Sequence, residues 1–149
     1  MKRVTALLCT LCLFLLCACG RSSAPFSADL VDKLLEHEVF SEPLELLEPE
    51  IARFLYQLDP EQSGLTELRA YRSSGATCEE AAVLIFQTED DADSALPVLQ
   101  AYLTARILSC RDYMPDQVPK LEHAILTQRS NTILLVVADN WTGAANLTE

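Results

Sequence analysis

Glycine is scarce, with four residues in 149, and none of them builds a glycine-rich phosphate loop or a Gly-x-Ser-x-Gly turn. Basic side chains are thin too: 11 lysines and arginines face 22 acids. A surface of that kind repels DNA, RNA and anionic lipid head groups, which excludes nucleic acid as a partner. The two histidines, His37 and His123, lie far apart in the chain and make a poor metal site. Missing as well is an apolar run that could span a bilayer. The longest, Val4 to Ala18, falls short of the ~20 residues a membrane helix needs.

That run has the character of a secretory signal, because Lys2 and Arg3 precede it and no charge interrupts it. Four of the six cysteines fall in residues 8–20, LCTLCLFLLCACG, where Cys9 and Cys12 have the spacing of a redox or zinc pair. In an apolar core after a basic start, cysteine acts instead as a small apolar residue. The segment closes on Leu16-Cys17-Ala18-Cys19-Gly20, which resembles the lipobox of bacterial lipoproteins. The resemblance implies that Cys19 carries the lipid and becomes the first mature residue, residues 1–18 being removed. The alternative is an ordinary secretory signal cut after Gly20. Losing residues 1–18 removes two bases and no acid, so nine bases face 22 acids and the mature chain carries −13. Acyl chains rather than charge must then hold it to the membrane, and two or more suffice.

Residues 19–27 read as a short tether, and a single domain is expected over 28–140 with a frayed tail at 141–149. Ser27 offers a cap for a helix to about Phe40, with Leu30, Val31, Leu34, Leu35 and Val39 on one stripe. Pro49 opens a second helix to Leu58, carrying Ile51, Phe54, Leu55 and Leu58. LTELRAYRS suits an edge strand, and Ala81 to Phe86 is an unbroken apolar run typical of a buried one. Thr88 caps a long helix to about Cys110, its first turn supplied with Asp90, Asp91 and Asp93. Pro97 requires that this helix either begins at Ser94 or kinks. CRDYMPD reads as a loop, and LEHAILTQRS with NTILLVVAD as a closing hairpin.

The expected fold is therefore α/β of the α+β type, with a mainly antiparallel four-stranded sheet and element order α-α-β-β-α-β-β. Strands 81–86 and 133–138 are apolar on both faces, so the second face needs cover, from the N-terminal helices or from a partner.

Across residues 28–140 the chain resembles small lipoproteins of Gram-positive bacteria classified only as a domain of unknown function. The residues that carry this are Leu55-Tyr56-Gln57-Leu58-Asp59, Glu79-Glu80 before the apolar strand, Arg106 late in the long helix, Tyr113-Met114-Pro115 and NTILLVVAD. The chain departs from the group at Gln57, where glycine is expected, and at Cys78. The resemblance implies lipoprotein status and the α/β order, and it brings no activity.

Cys78 and Cys110 are the mature cysteines besides Cys19, and an extracytoplasmic location permits a disulfide between them. A strand from 78 to 87 advances ~30 Å and a returning helix over 90–110 covers ~30 Å, so their far ends meet. A bond would close a loop of about 33 residues, roughly 3–4 kcal/mol in a chain-entropy treatment; the alternative is two buried thiols. Cys78 then faces the helix layer together with Glu80 at the margin, Ala82, Leu84 and Phe86, and Ala81, Val83 and Ile85 face the other way. A cysteine nucleophile needs a base, and His123 is the candidate nearest Cys78, with nothing local to orient the pair. A calcium loop from Asp91 fails because Leu96 and Tyr102 stand at its glycine and glutamate positions. Glu42, Glu45 and Glu48 read as a solvated face. The glycosylation patterns at Asn140 and Asn146 are accidental in a bacterial lipoprotein. No catalytic, metal or cofactor site is expected. The expected role is a non-enzymatic binding module, lipid-anchored on the extracytoplasmic face of the cell membrane, its partner an envelope protein or wall component. The other reading is a small-ligand carrier or accessory enzyme.

Overall fold

A computed structural model describes residues 24–75 and 77–149; the signal segment, the lipobox and Cys19 lie outside the described residues. The described residues form an α+β fold of five α-helices and one five-stranded antiparallel sheet. Helix α1 spans Asp29–Glu36, strand β1 Glu45–Leu46, α2 Pro49–Leu55, β2 Leu65–Arg72 and β3 Glu80–Phe86. Helix α3 follows over Glu89–Tyr113, then α4 Val118–Glu122, β4 Ile125–Arg129, β5 Thr132–Val137 and α5 Trp141–Thr148. The strand order is β1-β2-β3-β5-β4.

Strands β3 and β5 lie inside the sheet and are buried on both faces, as their unbroken apolar runs require. Ala82, Leu84 and Phe86 of β3 join Ile133, Leu135 and Val137 of β5 in a cluster under α3, with Cys78, Cys110, Leu99 and Leu103. Ala81, Val83, Leu134 and Val136 form a second cluster on the opposite face. Its cover comes from both chain ends. Val31 and Leu34 descend from α1, and Ala144 from α5. The other N-terminal helix, α2, packs on the α3 side through Ala52 and Tyr56, both fully buried.

Several expectations need correction. The sheet has five strands rather than four, because Glu45 and Leu46 pair with Arg72 and Tyr71 as a two-residue strand. Helix α1 stops at Glu36 rather than near Phe40. Glu38 stands where the Val31–Leu34 stripe would continue, and the chain turns extended at His37 so that Val39 reaches the core. Ser27 contributes its carbonyl to Leu30 N–H at 3.0 Å rather than a side-chain cap. Phe26, read as part of the tether, is buried, with its N–H on Thr132 Oγ1 at 2.9 Å and the Arg129 guanidinium 4.4 Å above its ring. Residues 110–116 are not a loop. Helix α3 runs to Tyr113, a 3-10 turn spans Pro115–Gln117, and α4 occupies the start of the expected strand. The supposedly frayed tail is α5, capped by Asn140, whose Oδ1 accepts Gly143 N–H at 2.9 Å, and closed by Arg129 Nη2 on the Thr148 carbonyl at 2.8 Å.

The N-terminus of α3 follows the sequence reading. Thr88 Oγ1 accepts Asp91 N–H at 3.1 Å and the Asp91 carboxylate accepts Thr88 N–H at 3.1 Å, a reciprocal capping box. The helix begins at Glu89, so Pro97 lies inside it.

Helix α2 ends in a Schellman closure. Leu58 N–H bonds the Arg53 carbonyl at 3.0 Å and Gln57 N–H bonds the Phe54 carbonyl at 3.2 Å. Gln57 adopts φ 57°, the left-handed conformation that favours glycine. A glutamine thus stands at a backbone position where glycine has a physical advantage. The closure turns Leu58 into the core and leaves Phe54 outside, 82% exposed, with Ile51 beside it at 52%. Of the expected stripe Leu58 is buried, while Ala52 and Tyr56 take the core places expected for Ile51 and Phe54.

Candidate functional site

The densest chemistry in the fold sits where β3 begins. Cys78, Glu79 and Glu80 are consecutive and each is fully buried, and strand alternation sends the two carboxylates to opposite faces. A buried carboxylate must be paired and hydrogen-bonded, so each acid has to collect partners from distant segments.

Glu79 gathers the loop after α1 and the short helix α4. Its carboxylate accepts Ser41 N–H at 2.9 Å, Ser41 Oγ–H at 2.6 Å and the Lys120 ammonium at 2.6 Å. Lys120 is itself buried and also meets Asp139 at 2.8 Å, at the exit of β5. Burial alone would push the Lys120 ammonium down. The hydrogen bonds and charges of Asp139 and Glu79 outweigh it and raise its pKa. Beside this cluster Glu42 accepts hydroxyl protons from Ser73 and from Thr77, the latter at 2.8 Å. Those bonds lower its pKa, so Glu42 is a structural acceptor rather than a member of a solvated face.

Glu80 belongs to the α3 side. Arg106 Nη1 stands 2.9 Å from Oε1 as an ion pair rather than an aligned hydrogen bond, and Tyr102 O–H donates to Oε2 at 2.8 Å. Burial acts to lower the Arg106 pKa, and the Glu80 charge beside it reverses that. Burial and then Glu80 raise the Tyr102 and Tyr56 phenols. Tyr56 meets Tyr102 edge-to-face at 5.1 Å, its buried hydroxyl without a hydrogen-bond partner among the described residues. Glu80 was expected at the margin of its face; it is inside the core.

Cys78 and Cys110 lie in one core cluster as free thiols. Cys78 Sγ–H points to the Gln117 carbonyl at 3.4 Å. Burial pushes this thiol up to about 11, with Arg106 opposing, which favours its protonated form at neutral pH. His123 is not brought to it. That ring is exposed on the surface, stacked on Trp141 at 4.3 Å, with Nδ1 on the Pro119 carbonyl at 2.8 Å. His37 lies in the exposed turn after α1. Asp91 is consumed by the helix cap and Asp93 accepts Gln128 Nε2–H at 2.5 Å, in accord with a helix-terminus role for that acidic run.

Sequence reasoning singled out Glu79, Glu80 and Arg106 but did not pair them, and missed Tyr102, Lys120 and Asp139. The available signal was Lys120, a base within the apolar-spaced VPKLE of a chain poor in bases. The contacts of Glu79 and Glu80 tie α3, α4 and both flanking loops to one strand. Comparison with known proteins finds no matching family model, no matching curated protein and no matching solved structure.

Proposed function

We propose that this protein is a non-enzymatic binding module, anchored through a lipid on Cys19 to the extracytoplasmic face of a bacterial cell membrane, with an envelope protein or wall component as its partner. The observation that carries the binding role is the contrast between core and surface. Inside, Glu79 is hydrogen-bonded by Lys120, Glu80 is paired with Arg106, and burial raises the pKa of the Cys78 thiol. Outside, Phe54, Leu46 and Ile51 stand 82%, 61% and 52% exposed on neighbouring elements, apolar surface that the fold does not cover.

The lipobox residues support the anchor. Cys19→Ala is expected to release the protein from membranes and leave its precursor unprocessed; mature protein starting at Arg21 without lipid, by intact mass, would support the ordinary signal instead. The binding role is tested by cross-linking in intact cells and identifying what co-purifies. A defined envelope partner is the expected result, and a bound metabolite with no partner would overturn it in favour of a carrier or accessory enzyme.

A further inference from the structure

The Schellman closure of α2 has a steric consequence on the surface. By turning Leu58 inward at the left-handed Gln57, it opens a depression of about 640 Å³ against Phe54 and Pro60. A second depression of about 200 Å³ runs from the same Gln57, Leu58 and Asp59 to Ala95 and Val98 on α3. The two adjoin at Gln57, Leu58 and Asp59, forming a two-part groove. Its floor is apolar, with Leu58 at 5% and Ala95 at 3% exposure, and Phe54 forms one bank.

The rim is acidic. Glu50, Asp59 and Asp91 line it, and among the described residues none of the three is in an ion pair. Asp59 and Asp91 accept backbone N–H groups, which orient their carboxylates without neutralising them. Arg53, the base on this rim, directs its guanidinium to the Leu65 carbonyl at 3.1 Å. The groove therefore combines exposed apolar area with net negative charge, three carboxylates against the one Arg53 guanidinium.

The geometry points to this groove as the docking site for a cationic segment of a partner protein, an apolar side chain flanked by lysine or arginine. The assignment rests on the binding role proposed above. The apolar side chain covers Leu58 and packs on Phe54, while the flanking cations meet Asp59 and Glu50. Charge decides among occupants. A second copy brings the same acidic rim and a formal charge of −13 on the mature chain, nine bases against 22 acids, and is repelled. Anionic lipid is repelled for the same reason. A volume of this size holds a few side chains, which fits a segment rather than a globular face.

Two measurements test it. In solution, the mature domain is titrated by NMR with a synthetic peptide of about twelve residues alternating leucine and lysine, and with its leucine–glutamate counterpart. The lysine peptide is expected to shift amide signals of residues 50–63 and 91–98 and to weaken about threefold from ~50 to ~300 mM salt. Phe54→Ser, which alters an exposed side chain, should weaken it by about tenfold or more, and Asp59→Asn, which keeps the turn acceptor, by about threefold. Shifts centred elsewhere, equal binding of the glutamate peptide, or an unaffected Phe54→Ser would each overturn the assignment. In intact cells, a photo-reactive amino acid is placed at 54, and at 108 and 113 as exposed control positions. Capture from position 54 of a protein through a lysine- or arginine-bearing apolar peptide is the expected result. Capture of a protein only from 108 or 113 would overturn the groove and leave the binding role standing; capture of none from any position would overturn both. Capture of a second copy or of lipid at 54 would also overturn it.

Discussion

Replacing Arg106 by methionine should be among the most damaging single changes in the domain, although the position is on a helix and not wholly buried. Its guanidinium is the cation within 2.9 Å of Glu80, whose carboxylate is 0% exposed and has only the Tyr102 hydroxyl at 2.8 Å besides. Methionine fills much of the arginine's volume, so the loss is electrostatic. Removing one partner of a buried pair costs about 3–5 kcal/mol, because the remaining charge is neither solvated nor paired. Glu80→Met should cost less, about 1–3 kcal/mol, since Arg106 keeps 11% side-chain exposure and can extend toward water. The double variant should recover most of the loss, giving a coupling of about 2 kcal/mol or more. Urea unfolding of the mature domain measures all three. At a slope of about 2 kcal/mol/M, a loss of about 4 kcal/mol lowers the midpoint by roughly 2 M. Additive single costs below about 1 kcal/mol each would refute the reasoning, because they would mean that water reaches the carboxylate.

Three further outcomes follow from the same geometry. Gln57→Gly should stabilise the domain by about 0.5–1 kcal/mol, a gain of a few degrees in Tm, because it relieves a left-handed φ; an unchanged or lower Tm would show that the glutamine side chain compensates. In the reduced protein the unfolded Cys78 thiol ionises near 9.0 and the folded one only at about 11, so stability is full below pH 9 and falls as pH rises toward 11. Urea titrations should show that fall, roughly 2 kcal/mol, to be absent from Cys78→Ala, and an identical slope in both proteins would contradict it. The Cys78–Cys110 bond remains a proposal for the protein exported through its own signal. Non-reducing peptide mapping should recover the linked pair, and two thiols alkylated without reductant after unfolding would rule it out.

What could be read from the sequence was what is local. Thr88 and Asp91 declare a helix start three residues apart, and the alternation from Ala81 to Phe86 assigns side chains to faces without knowledge of what covers them. What escaped depends on partners far along the chain. The burial of Glu79 and Glu80 is set by Tyr102, Arg106 and Lys120, 22 to 41 residues away in the hydrogen-bonded cases, and no local window holds that information. Helix α5 escaped because its contribution to the core is Ala144, too small to mark an apolar stripe. Strand β1 is two residues long, and its pairing with β2 is a tertiary event. At α2 the expected stripe kept Leu58 but missed Ala52 and Tyr56, and periodicity alone cannot rank those two above Ile51 and Phe54.

A sheet whose central strands are apolar on both faces lacks the usual safeguard against sliding. Shifting β3 by one residue exchanges its two faces, and where one face is wet the hydrophobic pattern forbids that. Here Ala81, Val83 and Ile85 could trade places with Ala82, Leu84 and Phe86 at little cost in transfer free energy. The adjacent acids cannot trade. A slip would carry Glu80 away from Arg106 and Tyr102 and strip Glu79 of Lys120 and Ser41, leaving two bare charges in the core. The pair thus acts as an alignment key that the apolar residues do not supply. Removing all charge from it is expected to keep the domain folded while loosening the β3–β5 pairing. Cross-strand nuclear Overhauser contacts between Val83 and Leu134, partners in the native ladder, would report that loosening, and their full retention would contradict it.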